Sequence, residues 1–112
     1  MPRLIGKTKA LEMLLFGTRI HAPEALRIGL ITWVSESSEL LKNAEELAET
    51  LAKKAPVAVA AILNVVAHGL STNLEDGLRI EREGVQKVMG TRDAKEGMKA
   101  FVEKRQPIFT GE

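Results

Sequence analysis

Few side chains in this 112-residue sequence have the type and spacing needed for catalysis or metal binding. The two histidines, His21 and His68, have no metal-ligand spacing with each other or with carboxylates. No cysteine is present, which excludes a thiol nucleophile and a disulfide framework. Gly6-Lys7-Thr8 matches the end of a phosphate-binding loop, but Met1 stands where that motif needs its first glycine. We therefore expect no metal site, no phosphate-binding loop and no catalytic histidine.

Three carboxylates, Glu24, Glu81 and Glu96, are the remaining candidates for general acid–base chemistry. Glu81 is the most interesting of them, because it falls on the apolar side of its predicted helix. Four apolar residues share that side: Leu74, Leu78, Val85 and Val88. Buried carboxylates are usually paired with a cation. We therefore expect Glu81 to form an ion pair with an Arg or Lys of a neighbouring helix.

The composition is that of a globular domain. Apolar residues make up 45% of the chain and charged residues 28%, so neither disorder nor a membrane-spanning class is indicated. The longest apolar stretch, Ala55 to Leu70, is too short and too interrupted for a membrane span. A net charge of +1 argues against a nucleic-acid partner. The lack of cysteine fits a reducing compartment, and we expect a cytoplasmic location.

Helical periodicity runs through almost the whole chain, so helices have to position any functional side chain. The pattern predicts an all-α array of about six helices, with boundaries near 7–16, 22–29, 38–51, 57–67, 74–89 and 91–102. The fourth of these is apolar nearly all round, which is typical of a helix covered on most sides. At most one short strand is expected, at the β-branched and aromatic segment Leu30 to Val34.

The last predicted helix has the clearest end signals. Thr91 supplies an N-cap hydroxyl, and Asp93 and Glu96 lie near the positive end of the helix dipole. Lys104 and Arg105 follow at the negative end. An apolar stripe completes the amphipathic pattern: Ala94, Met98, Phe101 and Val102.

The order of residues in this segment, T-x-D-A-K-E-G-M-x-A-F-x-E-K-R-x-P-x-F, resembles the C-terminal signature of the enoyl-CoA hydratase (crotonase) family. Pro2 to Ala10, Gly17 to Leu30 and Leu74 to Glu81 are also similar to family segments, so the resemblance covers the whole chain. It implies that residues 1–34 correspond to the end of the family's ββα spiral core. Residues 35–112 would then be its C-terminal helical oligomerisation region, with the N-terminal core lacking.

The resemblance implies a C-terminal portion of an enzyme that hydrates a 2-enoyl-CoA in fatty-acid and acyl-CoA metabolism. The acyl-CoA thioester would be the substrate, with no separate cofactor, and the enzyme a homo-oligomer, either a trimer or a dimer of trimers. The family's oxyanion hole and its two catalytic glutamates lie upstream of this chain, so no catalytic residue is assigned. Isomerase and other crotonase chemistries stay open. The alternative function is a free-standing helical module for self-association or partner binding, without catalysis.

One binding residue is implied by the resemblance. Lys104 matches a family Lys that meets the phosphates of coenzyme A, where an ammonium acts as a point charge. A second interpretation of Lys104, as a solvated residue completing the helix C-terminus, stays open beside it. For Arg105 we expect a helix-dipole partner or an interface residue. Val85 matches a position that some hydratases fill with Phe against the acyl chain, and for the smaller Val core packing is expected.

Overall fold

The computed structural model describes residues 1–112 and contains seven α-helices and no strand. The helices are α1 Pro2–Ile5, α2 Lys7–Phe16, α3 Ala22–Arg27, α4 Leu40–Ala52, α5 Pro56–Gly69, α6 Leu74–Met89 and α7 Arg92–Glu103. The all-α class is as the sequence indicates. The additional helix is α1, a single turn with Pro2 at its start, where the fixed φ of proline suits the helix.

The segment Leu30 to Val34 is irregular. A strand needs a hydrogen-bonded neighbour, and this chain supplies none. The short strand that the sequence allows at this segment therefore does not form, although its residues have high strand propensity. No single helix is long and apolar enough to cross a membrane, and only the bent pair α4 and α5 meets those criteria together.

The chain divides into two compact units, Met1–Ala44 and Glu45–Glu112. In the first, α1 contacts α2, and Ala10 and Ala25 are buried. Gly17 follows α2 in the left-handed conformation (φ 61°), and the helix ends at Phe16 as the sequence pattern predicts.

The second unit is organised by a close approach of α5 and α6. Glycines make this approach possible. A Cβ on Gly77 would lie 3.3 Å from the carbonyl oxygen of Gly69, and one on Gly84 only 2.7 Å from Cγ2 of Val65. Helix α7 follows α6 after Gly90 and contacts it. The α5–α6 hairpin and α7 therefore form the frame on which the last eight residues lie.

Apolar surface is poorly covered within these residues. The buried apolar residues are three alanines, Ala10, Ala25 and Ala100. On α5, Ile62, Leu63 and Val66 are all more than half exposed. The apolar pattern of α5 predicts that other residues bury this helix on most sides, but residues 1–112 leave it largely exposed.

Candidate functional site at the C-terminal turn

Helix α7 begins as its sequence predicts. The Thr91 hydroxyl accepts a hydrogen bond from the Ala94 amide (3.1 Å) and donates to the Val88 carbonyl (2.7 Å). This confirms Thr91 as the N-cap. The cap fixes the first turn of α7, and so the direction in which the side chains of Asp93 and Glu96 leave the helix.

The end of α7 is unusual, because Lys104 adopts the left-handed conformation (φ 53°, ψ 40°). It is the only residue other than glycine with a positive φ. The Lys104 amide donates to the Phe101 carbonyl (3.3 Å) and the Arg105 amide to the Ala100 carbonyl (3.0 Å). This pair of bonds is a Schellman motif, in which the left-handed residue is usually glycine. A side chain in this conformation costs about 1–2 kcal/mol, so other contacts must maintain it.

The tail, residues 105–112, folds back along α7 and is held by Asp93. This carboxylate is 2% exposed and accepts hydrogen bonds from the amides of Thr110 (2.7 Å) and Gly111 (2.9 Å). The Asp93 amide in turn donates to the main-chain oxygen of Glu112 (3.0 Å), and the Arg92 guanidinium pairs with the Glu112 carboxylate. A buried carboxylate is tolerated because both of its oxygens are hydrogen-bonded.

A second carboxylate, Glu96, holds the start of the tail. Its two oxygens accept from the Arg105 guanidinium at 2.5 and 2.9 Å, and one of them also accepts from the Ile108 amide at 3.0 Å. Arg105 donates in addition to Glu103 (2.6 Å). The hydrogen bonds from Arg105, and then that from Ile108, lower the pKa of Glu96 to about 2. The same carboxylates raise the pKa of Arg105.

We call the set of contacts made by Asp93 and Glu96 with the tail the C-terminal clasp. Sequence reasoning missed it, since it assigned both carboxylates to the helix dipole and Arg105 to the dipole or an interface. The only signal available was Pro107, which prevents the helix from continuing. The Phe109 ring completes the clasp, because a Cβ on Gly97 would lie 3.6 Å from its edge.

Lys104 lies at the turn between α7 and the tail, with its side chain exposed. Among the three cations at this end of α7, Lys99 lies 3.9 Å from Glu103, and Arg105 is held by Glu96 and Glu103. The ammonium of Lys104 has no acidic partner. The turn therefore presents one uncompensated positive charge.

The other candidate carboxylates are not brought to this turn. Glu24 accepts two hydrogen bonds from Arg27, at 2.6 and 2.7 Å, and these lower the pKa of Glu24. Glu81 is exposed, and the ion pair expected for it is wrong for this chain. The physical reason is that Glu81 lies on the side of α6 that faces α5, and α5 carries neither Lys nor Arg.

Glu81 instead lines an apolar groove of about 380 Å³ between α5 and α6. Val85 lines the same groove and is 55% exposed, so within this chain it does not pack in a core. His21 precedes α3 without a capping hydrogen bond, and His68 Nδ1 lies 2.9 Å from the Asn64 carbonyl oxygen. No group of three His, Cys, Asp or Glu side chains is arranged to hold a metal ion.

Comparisons with known proteins match the chain along its whole length. The family model described as enoyl-CoA hydratase/isomerase matches residues 1–112. A probable mitochondrial enoyl-CoA hydratase of Dictyostelium discoideum is 42% identical over 107 residues, which are 96% of this chain and 39% of the relative. The carnitinyl-CoA dehydratase of Salmonella typhi is 39% identical over 115 residues, covering 99% of this chain and 44% of the relative.

Solved structures agree with the sequence comparison. The crystal structure of enoyl-CoA hydratase from Bacillus anthracis matches with a TM-score of 0.92 and 39% identity, over 99% of this chain and 43% of that one. An enoyl-CoA hydratase/isomerase from Mycobacterium paratuberculosis matches with a TM-score of 0.90 and 34% identity, over 99% of this chain and 45% of that one. This chain thus spans about two fifths of the length of the proteins it matches, and it matches the C-terminal portion of their fold.

The lowered pKa of Glu96 predicts how acid affects the clasp. Because its pKa falls from 4.5 to about 2 on folding, Glu96 stabilises the folded state above pH 4.5 and loses this effect as the pH falls towards 2. Glu96→Gln is therefore expected to lower the unfolding temperature at pH 7, and the difference from wild type should shrink between pH 4.5 and pH 2. Thermal unfolding followed by circular dichroism measures this.

The matched control is Glu83→Gln, which removes an exposed ion pair with Arg79 on α6. It should change the unfolding temperature little, since exposed pairs of this kind contribute little. A Glu96→Gln effect that stays constant from pH 7 to pH 2 would contradict the assigned role of the Glu96 charge.

Proposed function

The chain belongs to the enoyl-CoA hydratase/isomerase family, and we propose that it is the C-terminal portion of an enzyme that hydrates a 2-enoyl-CoA. The observation that carries the proposal is the match of the whole chain, including α7 and its tail, to a hydratase structure at 39% identity. The Salmonella relative is named a dehydratase, and dehydration is hydration run in reverse. Addition of water next to a coenzyme A thioester is therefore the favoured reaction class.

The carboxylates of this chain are poorly suited to general acid–base work in that reaction. Glu96 and Glu24 are tied to arginines, and a carboxylate with a lowered pKa is a weak base. Asp93 is occupied by the tail amides. Glu81 lines a groove with apolar walls and has no polar partner there. We propose that the oxyanion hole and the acid–base groups come from residues outside 1–112.

Within such an enzyme, we propose that Lys104 contacts the phosphates of coenzyme A. The support is its exposed, uncompensated ammonium at a turn whose other cations are all paired. A lysine ammonium binds phosphate as a compact point charge with three donors. The left-handed backbone of Lys104 adds support, since a strained non-glycine residue is retained where its side chain is of use.

We further propose that the complete protein is a homo-oligomer, a trimer or a dimer of trimers. Support comes from the exposed large apolar residues of α4 to α7. Contiguous exposed apolar surface favours association. Light scattering of the complete protein at micromolar concentration is expected to give the mass of three or six subunits. A monodisperse monomer would contradict this proposal.

The hydratase proposal predicts a clear difference between the complete protein and residues 1–112 alone. The complete protein should hydrate crotonyl-CoA, followed by loss of the absorbance of the conjugated thioester. Purified residues 1–112 should show no turnover above background, because the oxyanion hole and the acid–base groups are proposed to lie outside these residues.

Turnover by residues 1–112 that tracks the protein peak on re-purification would contradict the assignment of the chemistry to other residues. The intact mass of the protein from its source separates the two functional classes. A natural product of only 112 residues without activity would favour the self-association module.

The role of Lys104 predicts a selective loss of affinity. In the complete enzyme, Lys104→Ala should weaken crotonyl-CoA binding by roughly 1–2 kcal/mol, the scale of one charge-assisted contact. The loss should appear in KM rather than kcat, because the phosphates are remote from the reacting bond. It should shrink as salt rises, since an exposed contact is screened.

Three controls sharpen this test. Lys104→Arg should restore most of the affinity, because it retains the charge. Lys95→Ala removes the same charge from an exposed position earlier on α7 and should leave KM unchanged. Crotonyl-pantetheine, which lacks the nucleotide, should not distinguish wild type from Lys104→Ala. An equal penalty with that shorter substrate would mean that Lys104 acts only by completing the helix.

A further inference from the structure

The position of Lys104 is set from two directions. On the helix side, the Schellman bonds tie its amide and the next one to the Phe101 and Ala100 carbonyls. On the tail side, Arg105 is bound by Glu96, and Ile108 by the same carboxylate. Lys104 therefore lies between two fixed points, and its side chain is presented from a single backbone conformation.

That conformation is not the one that Lys104 would choose alone. A lysine disfavours the left-handed region, and a helix end with a non-glycine residue is free to continue in the right-handed region or to extend. Either change would redirect the peptide that follows Lys104. Glu96 opposes both, because its contacts with the Arg105 side chain and the Ile108 amide are satisfied only when the chain reverses at Lys104.

We infer that Glu96 is a positioning residue for Lys104: by holding Arg105 and Ile108 it keeps Lys104 left-handed and aims the ammonium at the coenzyme A phosphates. This inference rests on the proposed function of Lys104. Asp93 supports the same arrangement further along the tail, through Thr110 and Gly111.

Glu96 is not suited to bind coenzyme A directly. Both of its oxygens are occupied by Arg105 and Ile108, and a carboxylate repels a phosphate. Any loss of coenzyme A affinity on removal of the Glu96 charge must therefore pass through the turn. Loss of a repulsive charge alone would have the opposite sign and raise the affinity.

A double-mutant cycle tests the inference in the complete protein that carries residues 1–112. Calorimetry measures the binding of coenzyme A, and of pantetheine as the ligand without phosphates, to wild type, Glu96→Gln, Lys104→Ala and the double variant. Glu96→Gln is expected to weaken coenzyme A binding by roughly 3–10-fold, and the double variant should bind no more weakly than Lys104→Ala. Pantetheine affinity should not change, and neither should coenzyme A affinity in Glu83→Gln.

The outcomes separate this inference from the function on which it rests. Losses that multiply in the double variant, or no loss in Glu96→Gln, overturn the positioning role while the Lys104 contact stands. Unchanged affinity in Lys104→Ala overturns the contact and the positioning role together. Arg105→Gln removes the same ion pair from the tail side and provides a second cycle should Glu96→Gln fold poorly; it too must show no further loss with Lys104→Ala.

Discussion

The buried carboxylate of Asp93 is the constraint on which the C-terminal site depends. A charge that is 2% exposed is unfavourable unless hydrogen bonds replace the water it has lost. Within this chain those bonds come from the amides of Thr110 and Gly111. The tail therefore has to fold back along α7. That reversal brings Arg105 beside Glu96, whose contacts with Arg105 and Ile108 then hold the turn at Lys104.

The same contacts separate structural carboxylates from reactive ones. A general base needs a free oxygen and a pKa near the working pH. The carboxylate oxygens of Asp93 accept hydrogen bonds from tail amides, and those of Glu96 from Arg105 and Ile108. The pKa of Glu96 is also too low for a general base. What the turn offers is the exposed ammonium of Lys104, which suits the anionic ligand proposed for it better than acid–base chemistry. Carboxylates that are structural and not reactive fit a chain that spans about two fifths of the length of its enzyme relatives.

Local signals in the sequence predicted most of the helices, whereas contacts distant in sequence were missed. The N-cap at Thr91 and the end of the helix near residue 16 follow from residue type and spacing, and the structure confirms them. The clasp joins residues as far apart in sequence as Asp93 and Glu112, and helical periodicity does not encode such contacts. Lys104 departs from the preference for glycine because tail contacts, and not local propensity, determine its backbone. The ion pair predicted for Glu81 is wrong because the sequence alone does not show which helix lies beside Glu81.

Amide hydrogen exchange of Thr110 and Gly111 tests most directly whether Asp93 holds the tail. In wild type both amides should exchange slowly, because each donates to the buried carboxylate. In Asp93→Ala they should exchange at the rate of an unstructured chain, while the Arg105 amide, bonded to Ala100, reports whether α7 still ends as before. Fast exchange of Thr110 and Gly111 in wild type, or unchanged protection in Asp93→Ala, would contradict the account.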